Sequence, residues 1–155
     1  MRVGLGNDIH HLVPDRKLIL GGETIPFEKG LSGHSDADVL VHAICDSLLG
    51  AAGLGDIGVH FPDSDPAFKG IYSIELLKHT GAMIREKGYT VVNLDATIFA
   101  QAPKLSPYSD KMKKNISDAL QISPDMVNIK STTTEGLGFV GLGDGMEAMC
   151  ISLLE

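Results

Sequence analysis

Three residues near the start of the chain, Asp8, His10 and His42, are suited to bind a metal ion together. Asp8 and His10 lie two positions apart, so on a strand their side chains leave the same face. His42 lies on the apolar inner side of a predicted helix, where a histidine needs a hydrogen-bond partner or a metal. One carboxylate and two imidazoles leave the fourth position of a tetrahedral zinc ion open. The sequence therefore predicts a zinc centre that can accept a substrate oxygen.

Two aspartates flank His42 on the same helical face. Asp38 and Asp46 each lie four residues from the histidine, so either carboxylate could accept a hydrogen bond from its ring. The alternative is that both are surface acids without that role. His11 points away from His10 and is not expected to be a ligand.

Two loops that follow predicted strands contain groups suited to phosphates and a nucleotide. In the first loop, the hydroxyls of Thr132, Thr133 and Thr134 and the backbone N–H groups suit phosphate oxygens. Glu135 among phosphate-binding groups indicates a second cation, most plausibly Mg²⁺. In the second loop, over residues 100–106, Pro103 fixes a backbone that could contact a base edge. The simpler alternatives are a threonine run that ends in a glycine turn and a plain connector.

Strands and helices alternate along the chain. The patterns predict strands over residues 2–10, 91–100, 127–131 and 147–154, a hairpin over 17–26, and helices over 38–52, 71–87 and 106–120. Ser35 followed by Asp38 predicts a capping box at the start of the first helix. We expect one domain over residues 1–155 with an α/β (α+β sandwich) fold, in which helices pack on one face of a mixed sheet of four to five strands. The last strand is apolar on both faces, so the other sheet face needs a partner and a homo-oligomer is expected.

Bulk properties exclude several classes of protein. The 155 residues have a formal net charge of −7, which argues against a nucleic-acid or membrane-surface partner. No apolar run approaches the length of a membrane span. Cys45 and Cys150 lie in apolar surroundings and are expected to be buried, reduced thiols. A strand begins at once after Met1, without a leader pattern, so we expect a cytoplasmic protein.

Seven segments occur in a characteristic order along the chain. They are Asp8-Ile9-His10, GHSDAD over residues 33–38, His42, LGDIG over 54–58, FPDSD over 61–65, AQAPK over 100–104 and TTTE over 132–135. Together they closely resemble the 2-C-methyl-D-erythritol 2,4-cyclodiphosphate synthase family, over essentially the whole chain. The resemblance implies a homotrimer of α/β subunits, with the other sheet face in the trimer core and active sites between subunits.

The resemblance also implies an activity and two metal ions. The family converts 4-diphosphocytidyl-2-C-methyl-D-erythritol 2-phosphate to 2-C-methyl-D-erythritol 2,4-cyclodiphosphate and CMP, by attack of the 2-phosphate on the β-phosphorus, in the non-mevalonate pathway to isoprenoid precursors. By position, Asp8, His10 and His42 would bind Zn²⁺, and Glu135 would bind Mg²⁺ or Mn²⁺ together with substrate. His34 and Thr133 match the catalytic positions that stabilise the transition state.

The same resemblance implies a set of substrate contacts. Ser35, Phe61 and Asp63 match the methylerythritol pocket, and Asp56 and Gly58 match ribose contacts. Two further segments match the cytidine and phosphate loops. The full implied set is Asp8, His10, His34, Ser35, Asp56, Ile57, Gly58, Phe61, Pro62, Asp63, Ser64, Asp65, Ala100, Gln101, Ala102, Pro103, Lys104, Leu105, Ser106, Thr132, Thr133, Thr134, Glu135 and Phe139.

Two other functions use the same residues. A zinc-dependent phosphohydrolase would use the metal to activate water, but it needs a base near the zinc, for which the sequence offers only Asp38 or Asp46. A non-catalytic nucleotide-binding trimer would tolerate loss of the metal ligands, yet this chain keeps all three.

Overall fold

Seven strands and five helices follow one another along the chain in a computed structural model that describes residues 1–62, 65, 68 and 70–155. The strands are β1 (Arg2–Pro14), β2 (Leu18–Leu20), β3 (Glu23–Ile25), β4 (Lys29–Leu31), β5 (Val91–Phe99), β6 (Val127–Thr132) and β7 (Gly145–Leu154). The helices are α1 (Val39–Ala52), α2 (Ile57–His60), α3 (Ser73–Glu86), α4 (Ser109–Leu120) and α5 (Gly138–Gly141). Short 3₁₀ turns at Ser106–Tyr108 and Pro124–Met126 precede α4 and β6.

The main sheet has five strands in the order β4-β1-β7-β5-β6. Only the pair β5–β6 is parallel, so the sheet is mixed, as the sequence predicts. The strands β2 and β3 form the expected hairpin, and the structure shows that it is a separate two-stranded sheet. Gly21 and Gly22 join them with φ angles of 56° and 71°, which matches a two-residue turn that requires positive φ at both positions.

The core lies between one face of this sheet and the helices. Along β7, Met146, Ala148 and Cys150 are buried while Met149 and Ile151 are exposed, so the alternation separates a covered face from an open one. The helices α1 and α4 contact the sheet through β1, β7 and β6. This arrangement confirms the predicted fold class. In the described part of the chain, no helix combines the length and apolar character that crossing a membrane requires.

Helix α1 lies directly against β1 because two residues of the strand have no side chain. A Cβ atom at Gly4 would lie 1.9 Å from the carbonyl oxygen of Ser47, and one at Gly6 would lie 2.0 Å from that of Ala43. The contacts move from Ser47 back to Ala43 as the strand advances, so helix and strand run in opposite directions. Because the helix and the strand are this close at Gly4 and Gly6, the next residues on the same face of the strand, Asp8 and His10, also lie close to the helix.

Some local predictions are wrong. Helix α1 begins at Val39, and Asp38 caps it by accepting a hydrogen bond from Val41 N at 3.1 Å. Ser35 therefore does not form the predicted capping box; its hydroxyl instead accepts a bond from Ala37 N. The short elements β4, α2 and α5 were not predicted, because three or four residues show no periodicity.

Both cysteines are buried free thiols, as expected. Burial raises the pKa of Cys45 to about 12 and that of Cys150 to about 11. The Cys45 thiol on α1 faces Thr80 of α3, whereas the Cys150 thiol on β7 faces Ser47 of α1, so the two thiols lie on different sides of α1.

Candidate metal centre and substrate pockets

Three possible ligand atoms from β1 and α1 converge at the predicted metal site. Asp8 Oδ2 lies 2.9 Å from His10 Nε2 and 3.0 Å from His42 Nδ1. The two ring nitrogens are 3.2 Å apart. A tetrahedral zinc ion with bonds of about 2.1 Å holds its ligand atoms about 3.4 Å apart. The three atoms therefore fit one ion after shifts of a few tenths of an ångström.

The strand places its ligands by alternation. Gly4, Gly6, Asp8 and His10 occupy every second position of β1 and share the face that α1 covers. The two glycines bring the helix close, and the two ligands follow where the helix presents His42. A helix held further from the strand would carry His42 away from Asp8.

Hydrogen bonds at the outer ring nitrogens fix which atom of each histidine faces the site. His10 Nδ1 lies 2.8 Å from the carbonyl oxygen of Ser32, which can only accept, so Nδ1 carries the proton and Nε2 carries the lone pair. His42 Nε2 lies 3.0 Å from Ser73 Oγ and 3.2 Å from Ser35 Oγ. Both imidazoles can therefore present a lone pair to a cation.

The two aspartates on α1 do not orient His42. Asp38 accepts hydrogen bonds from the backbone N–H groups of Gly22 and Val41. Asp46 accepts one from the N–H of Ile57 at 2.8 Å. The prediction that one of them orients the imidazole is wrong, because the outer ring nitrogen of His42 contacts the hydroxyls of Ser73 and Ser35 instead.

Local charge keeps the carboxylate ligand ionised. Burial raises the pKa of Asp8, but hydrogen bonds from His10 and His42 outweigh burial and hold the pKa far below its usual range. Burial lowers the pKa of His10, but the adjacent carboxylate of Asp8 outweighs it and the net pKa is raised. Protons and a metal ion would therefore compete for the His10 ring.

A cavity of about 340 Å³ opens beside these ligands. Asp8, His42, His34, Ser35 and Leu76 form part of its wall, and the remainder comes from Ile57, Gly58, Phe61, Pro62, Phe68 and Ile71. Several residues expected to bind substrate therefore lie together with the candidate metal ligands Asp8 and His42. The rings of Phe61 and Phe68 meet edge to face, with centroids 5.4 Å apart.

Two other residues expected at this pocket, Asp56 and Asp65, lie next to its wall along the chain and are not among the lining residues. Asp56 caps α2 by accepting from Val59 N, one residue before Ile57 of the cavity wall. Asp65 N donates to Pro62 O at 2.9 Å, so Asp65 follows the pocket wall in the chain. Asp63 and Ser64 lie outside the described residues.

A second cavity of about 420 Å³ lies at the ends of β5 and β6. The lining is Ala100, Gln101, Ala102, Pro103, Lys104, Leu105, Ser106, Ser131, Thr132 and Thr133. The two loops expected to contact cytidine and phosphate therefore meet. Thr133 Oγ1 donates to Glu135 Oε1 at 2.7 Å, and Thr134 Oγ1 donates to Leu137 O. Phe139 follows in α5 and is 40% exposed.

The two cavities are separate within one chain. Ile9, Glu147, Phe99 and Thr132 are successive partners across β1, β7, β5 and β6. Three strand spacings place Thr132 about 14 Å from Ile9, the residue between Asp8 and His10. Among the residues that the structure describes, Asp8, His10 and His42 form the one group of three or more His, Cys, Asp or Glu side chains whose ligand atoms converge, and Glu135 does not belong to this group.

Sequence reasoning missed several residues that shape the site. Phe68, Ile71 and Leu76 line the first cavity, and Ser73 contacts His42 from α3. These residues lie far along the chain from their partners and give no local signal. The glycines of β1 do carry a signal, since they precede Asp8 and His10 at the same two-residue spacing.

Fold and site together define an α/β protein with a candidate mononuclear metal centre, formed by one strand and one helix, beside a cavity of about 340 Å³. The model of the YgbB family matches residues 1–155. The chain belongs to the YgbB family, which confirms the resemblance found in the sequence.

Named relatives and solved structures agree with this assignment. A protein of Desulfatibacillum aliphaticivorans, named 2-C-methyl-D-erythritol 2,4-cyclodiphosphate synthase, is 60% identical over 155 residues and 100% of both chains. The bifunctional IspDF of Campylobacter jejuni superposes with a TM-score of 0.95 at 43% identity; the match covers 99% of this chain and 42% of that longer one. A Plasmodium falciparum IspF in complex with CDP has a TM-score of 0.87 at 35% identity, over 99% of this chain and 94% of that one.

Proposed function

We propose that this protein is an enzyme, a phosphorus–oxygen lyase that converts 4-diphosphocytidyl-2-C-methyl-D-erythritol 2-phosphate to 2-C-methyl-D-erythritol 2,4-cyclodiphosphate and CMP. The observation that carries the proposal is the Asp8–His10–His42 cluster, of which Asp8 and His42 line a cavity of about 340 Å³. It is supported by full-length relatives that bear the name of this activity.

The reaction needs two anionic phosphates to approach each other. An oxygen of the 2-phosphate attacks the β-phosphorus, a new P–O–P link forms, and the bond from the β-phosphorus to the oxygen shared with the α-phosphate breaks. That oxygen leaves as part of CMP. Divalent cations supply charge neutralisation and fix the in-line geometry. No protein nucleophile is required, so the work of the chain is positioning.

The residues divide this work between the two cavities. We assign Zn²⁺ to Asp8, His10 and His42, and Mg²⁺ or Mn²⁺ to Glu135. The first cavity takes the methylerythritol unit, with His34 and Ser35 close to its phosphates and the Phe61 ring against its carbon skeleton. The second takes cytidine and the α-phosphate, with Thr133 as a hydroxyl donor to phosphate oxygen and Lys104 as a nearby cation. Asp56 and Gly58 contact the ribose.

We also propose a homotrimer of single-domain subunits, each spanning residues 1–155. The open sheet face supports it: Val3, Leu5 and Ile151 are 68%, 62% and 52% exposed on neighbouring strands. An apolar patch of this kind is typical of a protein interface. The separation of the two cavities within one chain fits a site that two subunits complete. We place the enzyme in the cytoplasm, with no nucleic-acid or membrane partner.

The test is ³¹P NMR of purified protein incubated with the substrate, zinc and magnesium. We expect the resonances of a cyclic diphosphate and of CMP to replace those of the substrate. His10→Ala and His42→Ala should each abolish turnover. Lys114→Ala is the control, because Lys114 is exposed on α4, pairs with Asp118 and lines neither cavity, so this variant should retain activity.

Each competing function predicts a different result. Release of inorganic phosphate in place of the cyclic product would identify a phosphohydrolase. Tight CDP binding without turnover, unchanged by a chelator, would identify a nucleotide-binding protein. Light scattering of the same sample tests the trimer, and a monomer mass would refute it.

A further inference from the structure

The outer nitrogen of His42 contacts two serine hydroxyls, and one of them, that of Ser73, has no role in the proposed reaction. His42 Nε2 lies 3.0 Å from Ser73 Oγ, and Ser73 is fully buried at the start of α3. Ser35 Oγ lies slightly further away, at 3.2 Å. Only one proton is available on Nε2 when Nδ1 faces a cation, so at least one of these hydroxyls must accept it.

Asp36 decides which way the Ser73 hydroxyl points. Ser73 Oγ makes a short hydrogen bond to Asp36 Oδ1. A carboxylate accepts but does not donate, so the proton of Ser73 is directed to Asp36. The remaining lone pairs of Ser73 Oγ then face His42 Nε2. The hydrogen-bond chain therefore runs from the imidazole to the hydroxyl to the carboxylate.

The Ser73 hydroxyl has no helix-capping duty. Asp36 Oδ2 accepts the backbone N–H of Ser73 at 3.0 Å, so the start of α3 is capped by Asp36 from the loop before α1. Asp36 Oδ1 also accepts from Asp38 N at 3.3 Å, which joins this loop to the start of α1. The carboxylate is thereby fixed from both helices, and it can hold Ser73 in one orientation.

We propose that Ser73, oriented by Asp36, is a positioning residue for the metal centre: it accepts the Nε2 proton of His42 and so keeps the Nδ1 lone pair directed at the cation. The inference rests on the proposed metal centre. Without this acceptor, the His42 proton can move to Nδ1 and form a hydrogen bond to Asp8 Oδ2, which lies 3.0 Å away. The hydrogen bond between His42 Nδ1 and Asp8 Oδ2 then occupies two of the atoms that would bind the metal, so it competes with metal binding.

The role predicts a specific loss of metal affinity. Removal of a partner that orients a ligating histidine lowers metal affinity by about 10- to 100-fold. Ser73→Ala should show a loss in this range, limited by the remaining acceptor Ser35. The double variant Ser35→Ala/Ser73→Ala should lose more than the product of the two single losses, because either hydroxyl can partly replace the other.

The experiment compares Ser73→Ala, Ser73→Thr and a matched control, Ser117→Ala, in the full chain. Ser117 is also fully buried and helical, but its hydroxyl bonds to Lys114 O, away from the metal ligands. Three readouts are needed: zinc affinity by competition with a chelator, the visible absorption spectrum of the cobalt(II)-loaded protein, and thermal unfolding of the metal-free protein.

The proposal is supported if Ser73→Ala binds zinc about 10- to 100-fold more weakly, with an altered cobalt spectrum, while Ser73→Thr restores both and Ser117→Ala matches the wild type. It is overturned if Ser73→Ala binds zinc as the wild type does. It is also overturned if Ser73→Thr fails to restore affinity and metal-free Ser73→Ala unfolds well below Ser117→Ala, since the role is then structural. A wild type that binds no zinc overturns the metal centre itself, and ³¹P NMR of product formation tests the proposed reaction separately.

Discussion

Replacement of Gly6 by alanine should disable the metal centre without touching a ligand. A Cβ atom at this position would lie 2.0 Å from the carbonyl oxygen of Ala43. Ordinary contacts between such atoms begin near 3.4 Å. Helix α1 and strand β1 must therefore separate by roughly 1.4 Å along this contact, because the clash is with backbone and no side chain can turn away.

That shift can be compared with the largest separation that two ligand atoms of one zinc ion can have. His42 Nδ1 and Asp8 Oδ2 are 3.0 Å apart, so the same displacement carries them to as much as about 4.4 Å. Two ligands with bonds of about 2.1 Å can be at most about 4.2 Å apart on one ion. We expect zinc affinity and turnover to fall at least ~100-fold, and stability to fall by about 1–3 kcal/mol from overpacking.

The assay is zinc competition with a chelator and thermal unfolding, with Gly50→Ala as the control. Gly50 lies in helix α1, where an added Cβ atom meets nothing within 4 Å. That variant should keep its zinc affinity, and its free energy of unfolding should rise by about 0.5–1 kcal/mol, because alanine is the better helix former. The reasoning fails if Gly6→Ala binds zinc and unfolds like the wild type.

Three further outcomes follow from burial and charge. Burial raises the pKa of Asp38 to about 6, so its folded form binds a proton more tightly than the unfolded chain, and its contribution to stability is lost as pH rises from about 4 to 6. The free energy of unfolding of metal-free Asp38→Asn, measured with denaturant, should therefore rise relative to that of the wild type by up to about 3 kcal/mol between pH 4 and 7. Parallel plots of this free energy against pH for the two proteins would contradict the prediction. Ser152 Oγ is buried and has no hydrogen-bond partner among the described residues, so Ser152→Ala should melt at the same or a higher temperature; a loss above about 1 kcal/mol would show that the hydroxyl is satisfied. Ile151→Lys should reduce the mass seen by light scattering, whereas Met126→Lys, an apolar residue 37% exposed off the sheet face, should not; equal masses for the two would argue against the open-face interface.

The longer elements could be predicted because their apolar residues repeat over several turns or pleats. The alternation in β5 and the helical spacing of α1 and α3 each extend over nine or more residues. The turn α5 could not be found this way, since it has four residues and both Gly138 and Gly141 disfavour a helix.

The site residues likewise differ in how far the sequence could predict them. Asp8, His10 and His42 were predicted as a group because spacing and burial on two strong elements bring them together. The partner of His42 was sought on its own helix, at Asp38 and Asp46, where local spacing is informative. The structure supplies Ser73 instead, 31 residues further along. Only the packing of α3 against α1 makes that contact, and packing between distant elements leaves no periodic trace in the sequence.

The two buried thiols make this packing observable without an added probe. With pKa values of about 12 and 11, Cys45 and Cys150 are thiolates in only on the order of one molecule in 10⁴ or fewer at neutral pH. Alkylation of the native protein must therefore wait for α1 to separate from α3, which covers Cys45, or from the sheet, which carries Cys150. The rate of thiol labelling then measures the opening around α1, and because α1 also holds His42 against Asp8, bound metal should slow the labelling.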